Sequence, residues 1–205
     1  EDGWFEAMQG ARYMDELLTR HSNIMDQYDP EKETALIVGE WGMWHDPMPG
    51  TNPGFLKQQN TLRDALVAAI HLNIFNQHAD RVRMANLAQT VNVLQALVLY
   101  DGGQLVKTPT YHIFDMYKAH QDATLLPVDA ERGTYTHDDE STPAISVSAS
   151  KDDQDRVHMT LANPDPNQPR TISVDLRAQD VSSVDGRVRT AEQMYTHATF
   201  QEPNQ

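Results

Sequence analysis

The chain has 205 residues, and its 16 Lys and Arg stand against 30 Asp and Glu, a formal net charge of -14. Acidic residues spread along the whole chain repel nucleic acid and read as ordinary solvated surface rather than an acidic tail. With no cysteine, disulfides and thiolate metal sites are excluded, and no apolar run is long enough to span a bilayer. This composition suits a cytosolic or a secreted protein, with the cytoplasm slightly favoured. The chain opens Glu1-Asp-Gly-Trp4 without Met and closes on Glu202-Pro-Asn-Gln205 inside an expected loop. We therefore expect an internal piece of a longer protein, in which a missing signal peptide says nothing about secretion.

In chain order, Trp4 to Tyr28 places apolar residues three and four apart at Trp4, Met8, Ala11, Met14, Leu17, Leu18, Ile24 and Met25. That spacing predicts one helix with a single buried stripe, closed by Asp29-Pro30. Next comes Ala35-Leu-Ile-Val38, a short continuous apolar run of the kind that forms a strand buried on both faces. It stops at Gly39-Glu40-Trp41-Gly-Met-Trp44. The C-terminal mouth of such a strand is where α/β folds and barrels place chemistry, and aromatic planes beside a carboxylate suit a sugar. A glutamate there also serves as a plain loop charge or salt-bridge partner.

Pro47, Pro49, Gly50, Pro53 and Gly54 mark a long loop to Phe55. Within it, His45-Asp46 reads as an exposed pair with no third metal ligand nearby. Thr61 to His78 predicts a second helix with Leu62, Ala65, Leu66, Ala69, Ile70, Asn73 and Ile74 inward and Arg63 and Asp64 on its outer first turn. Val82, Met84, Leu87 and Ala88 suggest a strand; Val91 to Leu99 fits helix or strand. Asp101-Gly-Gly103 is a turn, and Thr108-Pro109 starts a third helix that runs to His120.

After Pro127 the pattern changes. Asp129 to Thr142 is polar and reads as a linker or mobile loop. Alternation then marks three strands, at Ile145, Val147 and Ala149, at Val157, Met159 and Leu161, and at Ile172, Val174 and Leu176. Asp185-Gly186 reads as a hairpin turn between Val184 and Val188. Such short strands suggest a β-sandwich.

Several ordered segments carry a family resemblance: Gly39 to Trp44, Pro49 to Leu56, Gln58 to Ala65, His78 to Val93, and Thr108 to Tyr117. Together they resemble the C-terminal half of family 51 glycoside hydrolases, the α-L-arabinofuranosidases. The resemblance implies an α/β fold, in which residues 1–127 supply strands seven and eight of a (β/α)8 TIM barrel and 128–205 an incomplete jelly-roll sandwich. It also implies that Glu40 is the nucleophile of a retaining exo-acting hydrolase, although Gly39 stands where many members have Asp. Gln89 would reach the sugar; its other reading is a strand-end residue bonding the backbone. Trp44 would line the sugar pocket or cap the barrel mouth, and Trp41 would be packing. The partner would be an arabinose-containing oligo- or polysaccharide, with neither metal nor cofactor.

Retention requires a second carboxyl group, roughly 5 Å from the first. In the family it comes from barrel strand four, upstream of residue 1, so the 205 residues alone are expected to be inactive. Homo-oligomerisation, or association with the rest of the same protein, is expected. An endo-glucanase of the same family and a non-catalytic carbohydrate-binding protein are the alternative readings.

Overall fold

The computed structural model describes residues 1–87, 89–177 and 181–203. The single N-terminal helix expected from the sequence is two helices, α1 (Asp2–Ala11) and α2 (Tyr13–Asp26). They part at Arg12, whose amide bonds the Gln9 carbonyl at 3.1 Å, a tightened turn. The Arg12 side chain donates to the Pro143 carbonyl at 2.7 Å. Helix α1 buries Trp4, Phe5, Ala7, Met8 and Ala11, while α2 buries only Leu18.

Strand β1 (Leu36–Val38) pairs in parallel with β2 (Val82–Ala85), and α3 (Leu62–Gln77) lies between them in the chain, so the three form a β-α-β unit. Their entrance is clamped by Arg81, fully buried, which donates to the Asp29 carboxylate at 2.6 Å and the Thr34 carbonyl at 2.9 Å and also pairs with Asp26. Leu36, Val38 and Ala85 pack toward the core. The other side of the pair carries Ile37 and Met84, opposite one another in register and 57% and 53% exposed. The expectation of a strand buried on both faces is therefore corrected: the described residues cover one face only.

Helix α3 is the centre of the molecule. Ala65, Val67, Ala68, Ala69, Ile70, Ile74 and Phe75 are all buried, because α1, α4 (Pro109–Tyr117) and the C-terminal sheet enclose it on several sides. The segment Val91–Leu97 is irregular, so neither regular reading holds before Leu97; the backbone then forms the hairpin β3 (Val98–Asp101) and β4 (Gln104–Lys107) around Gly102-Gly103. Helix α4 starts as expected, with the Thr108 hydroxyl accepting from the Tyr111 amide at 3.4 Å, and ends in one 3-10 turn at His120.

Strands β5 (Thr124–Leu126), β8 (Ser146–Lys151) and β9 (Val157–Ala162) form an antiparallel sheet in the order β5-β8-β9. The expected linker is instead largely the hairpin β6 (Thr134–His137) and β7 (Glu140–Pro143). The polar sequence hides one buried anchor, Tyr135, whose ring meets Phe5 of α1 edge-on at 5.2 Å. The expected strand at Ile172–Leu176 and the hairpin around Asp185-Gly186 do not form; neither stretch carries ladder bonds among the described residues. Ile172, Val174, Val184 and Val188 are exposed there, so alternation without a surface to cover does not make a strand. Ala88, assigned above to β2, lies outside the described residues.

The sheet meets the helices through a polar seam. Asn73, fully buried on α3, donates to the Ser146 hydroxyl at 3.1 Å. Its carbonyl oxygen lies 2.7–3.0 Å from the hydroxyls of Thr160, Ser148 and Tyr117. Asn76 and Gln77 continue the seam to the Ser148 hydroxyl and the Val147 carbonyl.

Candidate active site

A cleft of about 640 Å³ opens beyond the C-terminal end of β1. One wall is Glu40 to Trp44, a second is Gly54 to Leu56, and the third is Gln89 with Val91 to Leu94. The three residues singled out from the sequence, Glu40, Trp44 and Gln89, thus line one cavity. Glu40 is the only carboxylate among the described residues that line it. Glu40 and Gln89 are solvent-accessible, and Trp44 is 66% exposed.

Trp41 points the other way. It is buried and stacks on Phe114 at 5.9 Å, with Phe75 and His71 meeting it edge-on at 5.2 and 5.4 Å. Consecutive turns of the loop thus send one tryptophan into the core and leave the other at the cleft, with Gly42 between them at φ +107°. A Cβ at Gly42 would sit 3.0 Å from the Gln95 side chain, so conformation and space both favour glycine.

Buried polar side chains support this loop from below. Gln95 donates to the Met43 carbonyl at 2.6 Å and to Asp64 at 3.2 Å. Gln58 accepts from the His45 amide at 2.8 Å and donates to the Met43 carbonyl at 3.3 Å. Asp64 is fully buried, which corrects its expected place on an outer turn. The reason is a capping box: one carboxylate oxygen accepts from the Thr61 amide at 2.8 Å, which turns the other inward to His45 and Gln95.

His45 is likewise no exposed loop residue. Its Nε2 lies 3.1 Å from Asp64 and 2.8 Å from the Arg63 guanidinium, whose same nitrogen is 3.3 Å from Nδ1, so the ring is held between the two side chains. Burial pushes the Asp64 carboxyl up, but the hydrogen bonds from His45 and Thr61 and the nearby cations outweigh it and hold it below its ordinary range. Asp46 stays exposed. Of this support, only the Thr61-x-x-Asp64 pattern was visible as a sequence signal; Gln58 and Gln95 carry none.

The third wall is built by local closure. Asn92 accepts from the Tyr100 amide at 2.8 Å and donates to the Tyr100 carbonyl at 2.7 Å, and Thr90 accepts from the amides of Leu97 and Val98 at 3.0 and 3.2 Å. Away from the cleft, Asp2, His137 and Asp138 bring ligand atoms within 4.8 Å of one another. No described helix is long and apolar enough to cross a membrane.

The cleft residues fall inside residues 39–205, which match the model of the α-L-arabinofuranosidase C-terminal domain. The chain belongs to that family, within glycoside hydrolase family 51. It is 40% identical over its whole length to an intracellular exo-α-L-arabinofuranosidase of Bacteroides ovatus, of which it covers 40%. An intracellular exo-α-(1→5)-L-arabinofuranosidase of Bifidobacterium longum is 29% identical over 71% of this chain and 30% of its own. Among solved structures, the family 51 arabinofuranosidase of Xanthomonas axonopodis pv. citri superposes with a TM-score of 0.93 at 48% identity, over 99% of this chain and 41% of that one. The chain therefore spans about two fifths of the length of the B. ovatus and X. axonopodis enzymes and less than a third of the B. longum one.

Proposed function

We propose that this chain is the C-terminal part of a retaining exo-α-L-arabinofuranosidase that releases terminal arabinofuranosyl residues from arabinan, arabinoxylan or their oligosaccharides. The observation that carries the reading is the lone carboxylate Glu40 at the mouth of a parallel strand pair, in one cleft with Trp44 and Gln89. The β-α-β unit is then the end of a (β/α)8 barrel. In that barrel Ile37 and Met84, bare on the side of the pair away from the packed core, face the interior.

Glu40 attacks the anomeric carbon as the glycosidic bond breaks, and a covalent glycosyl-enzyme forms. A second carboxyl group, contributed from outside these residues, protonates the leaving oxygen. It then takes a proton from the water that frees the sugar and regenerates Glu40. Trp44 offers a face to the sugar ring, and Gln89 offers both a donor and an acceptor to its hydroxyls. The names of the two bacterial relatives support an intracellular site of action.

In the longer polypeptide, Glu40→Ala is expected to abolish hydrolysis of an aryl α-L-arabinofuranoside, with partial rescue by azide. A mechanism-based arabinofuranoside is expected to label Glu40 covalently. Normal activity in Glu40→Ala, or a label on another residue, overturns the nucleophile assignment.

A further inference from the structure

The second wall of the cleft holds an aromatic ring that the chemistry at Glu40 does not use. Phe55 is 69% exposed, although it lines the same cavity as Glu40 and Trp44. Its neighbour Leu56 takes the opposite course, packing against the cluster of Val93, Leu94 and Ala96 on the facing wall. The two side chains are separated by the backbone: Leu56 is in the left-handed region at φ +52°, where an L-residue is strained. The turn that sends Leu56 inward therefore leaves Phe55 outside.

The turn is also held in place. Pro53 starts a 3-10 turn, the Asn52 side chain accepts from the Gly54 amide at 3.0 Å, and the Met48 amide reaches the Lys57 carbonyl at 2.7 Å to close the loop. A large apolar ring left largely uncovered by the described residues, on a fixed turn in the same cleft as a carboxylate, is a contact surface in waiting. A flat ring with one open face matches the C–H face of a sugar, which is apolar while its rim carries hydroxyls.

We infer that Phe55 is a specificity-determining residue: it stacks against the sugar on the leaving side of the scissile bond and favours oligosaccharides over small glycosides. This rests on the proposed arabinofuranosidase reading of the cleft. Terminal arabinose takes the ground beside Glu40, Trp44 and Gln89, and the next sugar of the chain lies over Phe55.

The test compares Phe55→Ala, Phe55→Leu and Phe55→Tyr in the longer polypeptide, with Glu40→Ala beside them. KM for an α-1,5-linked arabinotriose and inhibition by free L-arabinose, which needs no leaving-side contact, are measured together. Phe55→Ala and Phe55→Leu are expected to raise KM about tenfold, the equivalent of about 1.4 kcal/mol. Phe55→Tyr is expected to restore the wild-type value, and the arabinose inhibition constant is expected to stay unchanged in all three. An unchanged KM in Phe55→Ala, a Leu variant as good as Tyr, or an equal shift in arabinose inhibition overturns the inference. If those results come with an inactive Glu40→Ala, the inference fails alone; an active Glu40→Ala overturns the underlying reading and the inference with it.

Discussion

At the scale of single residues, His71 and Asp64 show how burial sets behaviour beneath the cleft. His71 sits between Trp41 and Phe75 in the core, and burial pushes its imidazole down to about 4. The unfolded ring binds its proton near 6.5, so between those values the unfolded state holds more protons and stability falls as pH falls. Its contribution is complete above pH 6.5 and is lost toward pH 4, about 3 kcal/mol across the window. Urea unfolding at pH 7 and pH 4.5 should show that loss, and His71→Phe should flatten it. Asp64→Ala should cost about 2–4 kcal/mol, since it removes half of the capping box, leaves the Thr61 amide without its acceptor and takes one of two acceptors from Gln95. The same denaturation curve checks it. Neither burial was legible locally: Asp64 has the pattern of a cap, but only the approach of His45 and Gln95 makes it an inward-facing charge.

At the scale of elements, the joint between α3 and the C-terminal sheet is polar where most helix-on-sheet contacts are apolar. Asn73 is its pivot, joining α3 to β8, β9 and α4 through four side chains. Buried networks of this kind are stabilising only when complete. Asn73→Ala should therefore destabilise the chain by about 3 kcal/mol, beyond the cost of the side chain's volume, because several hydroxyls lose their partner in a dry seam. A double-mutant cycle with Ser148→Ala, read by thermal or urea unfolding, should show coupling, and additive effects would refute the network. Periodicity placed Asn73 on the inward face of its helix, and alternation placed β8 and β9. It could not say that the seam between them would be built from Asn, Ser, Thr and Tyr. The same alternation misled at Ile172–Leu176, where Ile172 and Val174 stay exposed.

At the scale of the whole molecule, the proposed retaining hydrolysis needs two carboxyl groups, and among the described residues the cleft is lined by the carboxylate of Glu40 alone. The 205-residue chain incubated alone with an aryl α-L-arabinofuranoside should release no phenol above the buffer rate, whereas the longer polypeptide should. Turnover by the isolated chain would mean that Glu40 has a partner within these residues. The bare Ile37–Met84 rung points the same way: an apolar face left open by a β-α-β unit is a face that further structure covers.

Read alone, the sequence determined the helices around α3 and α4, the strand that ends before Glu40, the strands β8 and β9, and the family to which Glu40, Trp44 and Gln89 belong. These depend on local periodicity, turn chemistry and short motifs, all of which act over a few residues. Only the tertiary structure decided that Glu40, Trp44 and Gln89 share a cleft. It also decided that Asp64 and His45 support that cleft from below, that Tyr135 ties a polar hairpin to α1, and that Leu56 turns in while Phe55 stays out. Each depends on groups far apart in the chain meeting in a dry or strained setting. There burial, rather than residue type, decides which polar group is paired and which ring remains in water.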